Sequence, residues 1–169
     1  MKAYIELVKD AEMPFFAHDG DAGMDIRASE DVIIKPRETK IVKTGVKIAV
    51  PKGVEIDVRP RSGLSYKTRL RISNAPGTID SGYRDEIGVI IENSSLPFSL
   101  DDKGNVIKND NTYYLDEKQN REGTYIIKKG DRIAQLVFMQ YLDVELEKKE
   151  DISEIEGNRA GGFGSSGTK

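Results

Sequence analysis

The chain contains no cysteine, no tryptophan and only one histidine. Without cysteine it can form neither disulfide bonds nor thiolate metal sites. No hydrophobic run approaches the roughly 20 residues needed to cross a membrane, and the N-terminus lacks the basic and apolar regions of a signal peptide. We therefore expect a protein that makes no membrane contact and works in the cytoplasm.

The charge balance and the length narrow the functional class further. The net charge of −3 argues against direct nucleic-acid binding, which usually requires a basic excess. A length of 169 residues suits one domain with a full core and is short for two. The only histidine, His18, has no visible partner and is interpreted as a solvated loop residue.

Short apolar runs separated by turn residues recur along the chain. In Val54-Glu55-Ile56-Asp57-Val58 the apolar and acidic residues alternate strictly, which is typical of a half-buried strand. Helical periodicity is missing from every long segment, and the single helix we predict is one or two turns after Ser62, with Ser62 as its N-cap. Such closely spaced strands predict an all-β sandwich or barrel. The other predicted strands are residues 4–8, 32–34, 41–43, 46–50, 88–91, 124–127 and 133–139.

Residues 77–88 place a carboxylate, Asp80, three residues before an aromatic, Tyr83, with Ser81 and Gly82 between them. Gly82 permits a positive-φ turn, so the segment is predicted to be a short hairpin. A carboxylate beside exposed backbone and an aromatic wall suits a general base. On these residues alone an ordinary surface hairpin is the favoured interpretation, because Asp and Gly are common turn residues.

Two further groups of polar residues have both a functional and a structural interpretation. Asp25 could hold Mg²⁺ through water, or it could accept backbone hydrogen bonds in a loop, which is the favoured interpretation on the residue alone. The segment Arg61-Ser62-Gly63 suits a phosphate, because a guanidinium, a hydroxyl and backbone N–H groups come together. The alternative is a set of charges on a solvated strand face, and the sequence does not separate the two.

Gln135 is the only polar residue inside the apolar run 133–139, so it needs a partner from the backbone or from a ligand. Residues 94–123 are polar and rich in turns, yet they carry apolar residues as well. We predict that Val106-Ile107 pairs with residues 112–115 in a protruding hairpin. This segment is either a passive surface excursion or a docking surface for another macromolecule.

The last thirteen residues contain five glycines and no core-forming pattern. Ordering each residue costs about 1–2 kcal/mol, so the tail by itself is expected to be mobile. A ligand can order it, because Phe163 can stack on a flat ring while Arg159, Ser165, Ser166 and glycine N–H groups bind phosphates. A flexible terminus without a task is the common alternative.

Taken together, five segments resemble the ordered motifs of the trimeric deoxyuridine triphosphatases (dUTPases). They are Asp-Ala-Gly-Met-Asp-Ile (21–26), Arg-Pro-Arg-Ser-Gly-Leu (59–64), Gly-Thr-Ile-Asp-Ser-Gly-Tyr-Arg (77–84), Gly-Asp-Arg-Ile-Ala-Gln-Leu (130–136) and Gly-Gly-Phe-Gly-Ser-Ser-Gly (161–167). The resemblance implies a distorted jelly roll (β-clip) with one short helix, assembled as a homotrimer with three active sites at subunit interfaces. It also implies hydrolysis of dUTP to dUMP and pyrophosphate with Mg²⁺.

The resemblance assigns roles to individual positions. Asp80 matches the general base that activates water for attack on the α-phosphorus, and Tyr83 the aromatic that packs on the deoxyribose and excludes a 2′-hydroxyl. Asp25 matches the aspartate linked to the metal through water. Uracil recognition falls on the backbone of Gly77, Thr78, Ile79 and Gly88, with Asn74 nearby, and the phosphate-contacting or site-organising positions are Arg61, Ser62, Gly63 and Gln135.

The resemblance divides the chain into a β domain, residues 1–156, and a glycine-rich arm, residues 157–169, that closes the active site. In the arm, Phe163 matches the aromatic that covers uracil, while Arg159, Gly164, Ser165 and Ser166 match phosphate contacts. The family commonly places the arm arginine five residues before the phenylalanine. Here that position is Asn158, and Arg159 is one residue nearer.

The 94–123 insertion lengthens the gap between the third and fourth motifs. Similar insertions occur in some dUTPases of Gram-positive bacteria and their phages, where they can bind regulatory proteins. The alternative function is therefore a nucleotide-gated regulator that docks a partner through 94–123. The related dCTP deaminases are a close enzymatic alternative, but the Tyr83 hairpin and the Phe-Gly-Ser-Ser tail favour hydrolysis of dUTP.

Overall fold

The computed structural model describes residues 1–8, 10–117 and 120–157. These residues form fifteen strands and one short helix. In chain order the elements are β1 (Tyr4–Leu7), β2 (Phe15–Phe16), β3 (Gly23–Arg27), β4 (Val32–Ile34), β5 (Thr39–Lys43), β6 (Val46–Ala49), β7 (Val54–Arg59), α1 (Ser62–Lys67), β8 (Leu70–Ile72), β9 (Gly77–Ile79), β10 (Gly88–Asn93), β11 (Phe98–Leu100), β12 (Val106–Lys108), β13 (Thr112–Tyr114), β14 (Thr124–Ile127) and β15 (Arg132–Gln140).

The strands form an all-β jelly-roll-like fold around one core. The largest sheet has the order β2-β3-β15-β7-β9, and two three-stranded sheets have the orders β5-β10-β8 and β13-β14-β4. Two pairs, β1-β6 and β11-β12, complete the set. Every pairing is antiparallel except that of β13 with β14. The predicted all-β class and the predicted strands are confirmed.

Strand β15 lies at the centre of the largest sheet, between β3 and β7. Its register with β3 shifts between Arg132 and Ala134, which marks a β-bulge. The bulge explains why two consecutive residues, Ile133 and Ala134, are both buried, against the strict alternation of a regular strand. The residues with no exposed surface at the core are Ile26, Ile34, Val42, Val46, Ile56, Ile87, Val89, Ile127, Ile133, Ala134 and Leu136.

Three local predictions are wrong. Ser62 is the first helical residue and not the N-cap, which is Arg61 and makes no side-chain capping bond. The insertion strand β12 pairs with β11 and not with residues 112–115, because β13 runs parallel to β14 instead. Strands β9 and β10 join different sheets, so the segment between them is a tight turn and not a β-hairpin.

Helix α1 has six residues, and no helix in the described ranges could span a bilayer.

The insertion begins at a buried amide, Asn93, which binds three backbone groups. Its Nδ2 donates to the carbonyls of Ile34 at 2.9 Å and Gly123 at 2.8 Å, and its Oδ1 accepts from the Ser95 N–H at 3.0 Å. Both ends of the insertion are thereby bound to β4. The core therefore fixes the base of the insertion, independently of its outer strands.

We predict that Asn93→Leu lowers the free energy of unfolding by about 3 kcal/mol, because three buried backbone groups lose their partners. Asn93→Asp should cost more, since an acceptor would then face the Ile34 and Gly123 carbonyls. Urea unfolding at fixed protein concentration measures both effects. The exposed Asp102→Asn is the control within the insertion, and wild-type stability of Asn93→Leu would contradict the assignment.

Candidate active site

The most buried carboxylate of the predicted site, Asp25, is bound by two arginines. Asp25 is 2% exposed, and its Oδ1 accepts from Arg61 Nε at 2.8 Å. Its Oδ2 accepts from Arg61 Nη2 at 3.2 Å and from Arg132 Nη1 at 3.0 Å. The Arg61 pair is bidentate, which fixes the plane of the guanidinium as well as its position. The structure therefore brings together two predicted site residues, Asp25 and Arg61.

Arg132 is a member of this cluster that the sequence analysis missed. It belongs to the fourth motif, but it precedes the predicted strand 133–139 and was assigned no site role. The β-bulge at the start of β15 re-aims its side chain toward Asp25. Two cationic groups thus share one carboxylate and leave a positive excess where a phosphate is predicted to bind.

Gln135 lies in the same row as Asp25, because the two residues pair directly between β15 and β3. Arg59 occupies the same row on β7. An added Cβ at Gly23 would lie 3.3 Å from the Gln135 side chain, so the glycine leaves room for it. Ala134 and Leu136 are buried on the core face, as predicted. Among the described residues Gln135 makes no side-chain hydrogen bond, which leaves its amide available to a ligand.

A cavity of about 340 Å³ lies beside the cluster. Three cationic side chains line it, namely Arg61, Lys67 and Arg132, together with Gly63 at the start of α1. An added Cβ at Gly63 would meet nothing within 4 Å, so the space in front of this backbone is open. Ser62 is exposed on the same turn. Lys67 was not among the predicted site residues, and α1 places it here.

The carboxyl groups of Asp116 and Asp131 also line this cavity. Burial raises the pKa of Asp131, and the nearby charge of Asp116 acts in the same direction, although the Lys128 N–H bond opposes it. Asp116 belongs to the 94–123 insertion. One wall of the cavity is therefore built by the insertion, which lies outside all five motifs that the sequence analysis used.

The predicted general base lies on a tight turn. The Tyr83 N–H donates to the Asp80 carbonyl at 3.0 Å, which closes the turn, and Arg84 Nη1 donates to the carbonyls of Ser81 and Tyr83 at 2.7 Å each. Gly82 is absent from the residues with positive φ, so the predicted reason for this glycine is wrong. An added Cβ there would meet nothing within 4 Å.

Asp80 and Tyr83 are both exposed on this turn. Asp80 makes no side-chain hydrogen bond to another described residue, so its carboxylate is free to contact solvent or a ligand. Tyr83 is 38% exposed, and its hydroxyl donates to the Glu86 carbonyl at 2.9 Å. The hydroxyl of Ser81 lies 3.4 Å from that of Tyr141, an interaction that lowers the pKa of Tyr141.

The predicted uracil-binding backbone lies on β9, just before the turn. Gly77 is buried, and an added Cβ would lie 2.9 Å from Asn74 Nδ2, so Asn74 packs directly on this glycine. Thr78 is exposed and Ile79 half-buried. At Gly88 an added Cβ would lie 2.5 Å from Ile41 Cγ2. Packing between β10 and β5 therefore already accounts for Gly88, independently of any ligand.

The two halves of the predicted site lie far apart within one chain. In the β7–β9 pairing Gly77 is opposite Val58 and Ile79 is opposite Ile56, so the next residue, Asp80, lies level with Glu55 near the start of β7. Arg61 follows the other end of β7. Six residues of extended chain separate these positions, which corresponds to roughly 20 Å. A single subunit thus carries the base and the phosphate-binding cations at opposite ends of one strand.

Asp25 fits a water-mediated metal contact and not direct coordination. A carboxylate has about four acceptor positions, and Arg61 and Arg132 occupy three of them. Within the described ranges no group of three or more acidic or histidine side chains could hold a metal ion. The remaining acceptor position suits a water molecule of a hydrated ion.

The predicted contacts of the arm, Arg159, Phe163, Gly164, Ser165 and Ser166, lie outside the described residues.

We predict that Asp25→Asn lowers the free energy of unfolding by about 3 kcal/mol, because the two guanidinium groups lose their buried counter-ion. Asp21→Asn is the matched control in the same motif, since Asp21 is exposed and accepts only the His18 N–H at 2.9 Å. Urea unfolding compares the two variants. Equal stability of both would show that the cluster contributes nothing to the fold.

Known proteins resemble this chain over nearly its whole length. The family model for dUTPases matches residues 9–106 and 118–167. Two similar proteins are deoxyuridine 5′-triphosphate nucleotidohydrolases. The enzyme of Clostridium tetani is 38% identical over 164 residues, covering 96% of this chain and 94% of its own. That of Clostridioides difficile is 39% identical over 162 residues, with the same coverage of 96% and 94%.

Solved structures of phage dUTPases share the fold. The dUTPase of Staphylococcus bacteriophage 80alpha with dUpNHpp has a TM-score of 0.83 and 34% identity over 98% of both chains. The dUTPase of phage phi11 of S. aureus, in which a species-specific insert was visualised, has a TM-score of 0.72 and 33% identity over 91% of this chain and 99% of its own. A mutant of the phi11 protein coordinates a structural Mg(II) ion. The family match spans most of the sequence and contains all five motifs, so this chain belongs to the dUTPase family.

Proposed function

We propose that this protein hydrolyses dUTP to dUMP and pyrophosphate in active sites shared between the subunits of a homotrimer. The observation that carries the shared site is the separation of roughly 20 Å between Asp80 and Arg61 along β7. A phosphate bound at Arg61 would be out of reach of Asp80 in the same chain. A neighbouring copy can supply the missing half, as closed symmetric oligomers often do.

In this proposal Asp80 is the general base. Its exposed carboxylate takes a proton from a water molecule, the oxygen attacks the α-phosphorus, and the α–β phosphoanhydride bond breaks with pyrophosphate as the leaving group. The turn bonds from Tyr83 N–H and Arg84 hold the Asp80 backbone in place, so little reorganisation is needed when the water binds.

Arg61, Arg132 and Lys67 bind the triphosphate of the same site from the neighbouring subunit, with Ser62, Gly63 and Gln135 as polar contacts. Asp25 holds the orientation of Arg61. It would hold Mg²⁺ through a coordinated water, and the ion when bound supplies charge neutralisation along the triphosphate. Positioning and charge neutralisation are the main sources of catalysis in phosphoryl transfer.

Selectivity for a deoxyuridine nucleotide comes from the β9 backbone and Tyr83. The backbone of Gly77, Thr78 and Ile79 with Asn74 forms a narrow notch in which a cytosine amino group would meet a donor and a thymine methyl group would lack space. The Tyr83 ring packs on the deoxyribose and excludes a 2′-hydroxyl. Residues 157–169 close over the nucleotide, with Phe163 on uracil and Arg159, Gly164, Ser165 and Ser166 on the phosphates. We infer from the sequence alone that the reaction takes place in the cytoplasm.

A panel of dUTP, dCTP, dTTP and UTP with Mg²⁺ tests the activity, with dUMP and pyrophosphate as the measured products. We expect turnover of dUTP to be far faster than that of the other three nucleotides. Asp80→Asn should keep nucleotide affinity within a fewfold and lose about 10²–10⁴-fold in kcat, the usual contribution of a general base. Near-normal kcat in this variant would refute the base assignment, and release of ammonia from dCTP would point to a deaminase instead.

Mixed oligomers test the shared site. Asp80→Asn and Arg61→Ala should each be nearly inactive alone. When equal amounts are refolded together, about one quarter of the sites combine an intact Asp80 with an intact neighbouring Arg61, so activity should return to about one quarter of the wild-type value. Refolding each variant alone is the control. No recovery in verified mixed trimers would mean that one chain supplies both residues.

A regulatory function is a second candidate, because the insertion exposes an apolar surface on β11 and β12. Phe98, Leu100 and Val106 are 55%, 65% and 69% exposed. Phage 80alpha dUTPases have been described as controlling transfer of virulence genes. Nucleotide binding without turnover, in the panel above, would favour a nucleotide-gated regulator that docks a partner through 94–123.

A further inference from the structure

The segment that leaves the Asp80–Tyr83 turn is bound tightly to the turn between β5 and β6. The Ile87 N–H donates to the Val46 carbonyl at 2.8 Å, and the Thr44 hydroxyl donates to the Ile87 carbonyl at 2.6 Å. Thr44 is 1% exposed, so this contact lies inside the protein. Through these two hydrogen bonds, the region of the β5–β6 turn supports the residues that follow Tyr83.

Glu86 makes the remaining contacts between the two turns through its side chain. One carboxylate oxygen, Oε1, accepts from the Thr44 N–H at 3.1 Å and from the Gly45 N–H at 2.7 Å. Two adjacent backbone donors thus converge on a single charged acceptor, which is a stronger arrangement than a neutral hydrogen bond. Gly45 has φ of +68°, and this conformation turns its N–H toward Glu86 beside that of Thr44.

The backbone of Glu86 holds Tyr83. The Tyr83 hydroxyl donates to the Glu86 carbonyl at 2.9 Å, so the far end of the ring is fixed by the same residue whose carboxylate is fixed by Thr44 and Gly45. The other end of Tyr83 is fixed by its N–H bond to Asp80 and by Arg84 on its carbonyl. The direction of the ring therefore depends on where Glu86 lies.

We propose that Glu86 is a positioning residue which, by binding the Thr44 and Gly45 N–H groups, orients Tyr83 and sets the discrimination between deoxyribose and ribose nucleotides. This inference rests on the proposed function. Glu86 acts through Tyr83 and not by contact with the sugar or the phosphates. It acts because a ring that excludes a 2′-hydroxyl must be held within a fraction of an ångström.

The measured quantity is the ratio of kcat/KM for dUTP to kcat/KM for UTP. Glu86→Ala should lower this ratio by about tenfold, because the carbonyl that holds Tyr83 is then supported only by the neighbouring Ile87 hydrogen bonds. Glu86→Gln should restore most of it, since the amide oxygen can still accept both N–H groups. Glu86→Asp is one methylene shorter and should give an intermediate loss. Asp85→Ala, at the exposed neighbouring position, is the matched control and should leave the ratio unchanged.

A merely structural role predicts another pattern. Loss of folded protein lowers turnover of both nucleotides equally and leaves the ratio intact, so an unchanged ratio in Glu86→Ala overturns the proposal. If Glu86→Ala does not fold, Glu86→Asp carries the same test. A fall in Glu86→Gln as large as in Glu86→Ala would also overturn it.

A double-mutant cycle tests whether Glu86 acts through Tyr83. Tyr83→Phe removes the hydroxyl and should lower the ratio by itself, and Glu86→Ala added to it should lower it little further. Fully additive losses would overturn the proposed route.

Failure of the proposed function is distinguishable. Wild-type protein that turns over no dUTP refutes the enzyme assignment, and dUMP and UMP dissociation constants of the same variants then still report the sugar discrimination.

Discussion

The register of β15 between its two neighbours is the constraint on which the site depends. It places Gln135 opposite Asp25 on one side and Arg59 on the other, so that polar side chains share the outer face of a sheet whose inner face is core. Because side chains alternate with a period of two, a shift by one residue would bury this row and expose Ala134 and Leu136. The bulge at the start of the strand breaks this alternation locally. It directs the Arg132 side chain toward Asp25.

The strand register also determines the electrostatics of the site, through the buried carboxylate of Asp25. The Asp25 carboxylate is 2% exposed and binds two guanidinium groups. A charged group can be buried in this way only because the arginines satisfy its oxygens. The two guanidinium groups face a cavity instead of the core, and this cavity is also lined by Lys67, Asp116 and Asp131. The same three hydrogen bonds leave too few acceptor positions on Asp25 for direct metal coordination. They leave room for a contact with the ion through a water molecule. The Asp80 carboxylate, in contrast, makes no hydrogen bond to another described residue, and the turn that carries it is held by the Tyr83 N–H and by Arg84.

The sequence predicted the class of fold and most strand positions because apolar residues with a period of two are a local signal. Val54, Ile56 and Val58 are buried where the pattern put them. The predictions that are wrong concern strand pairing and turn geometry. Residues 112–115 resemble a hairpin partner for 106–107, yet β13 pairs with β14, and strand partners are chosen by long-range burial that no local pattern contains. Gly82 suggested a positive φ that the turn does not use.

The sequence by itself determined which chemical groups are present: Asp25, Arg61, Asp80, Tyr83 and Gln135 within motifs whose family resemblance is confirmed. Only the tertiary structure decided which of them meet. Asp25 and Arg61 are separated by thirty-six positions and form an ion pair, whereas Asp80 lies roughly 20 Å from Arg61, because pairing of β9 with β7 directs the turn to the opposite end of the strand. Spacing along the chain carries no information about such distances, since they are set by which edges and faces become buried together.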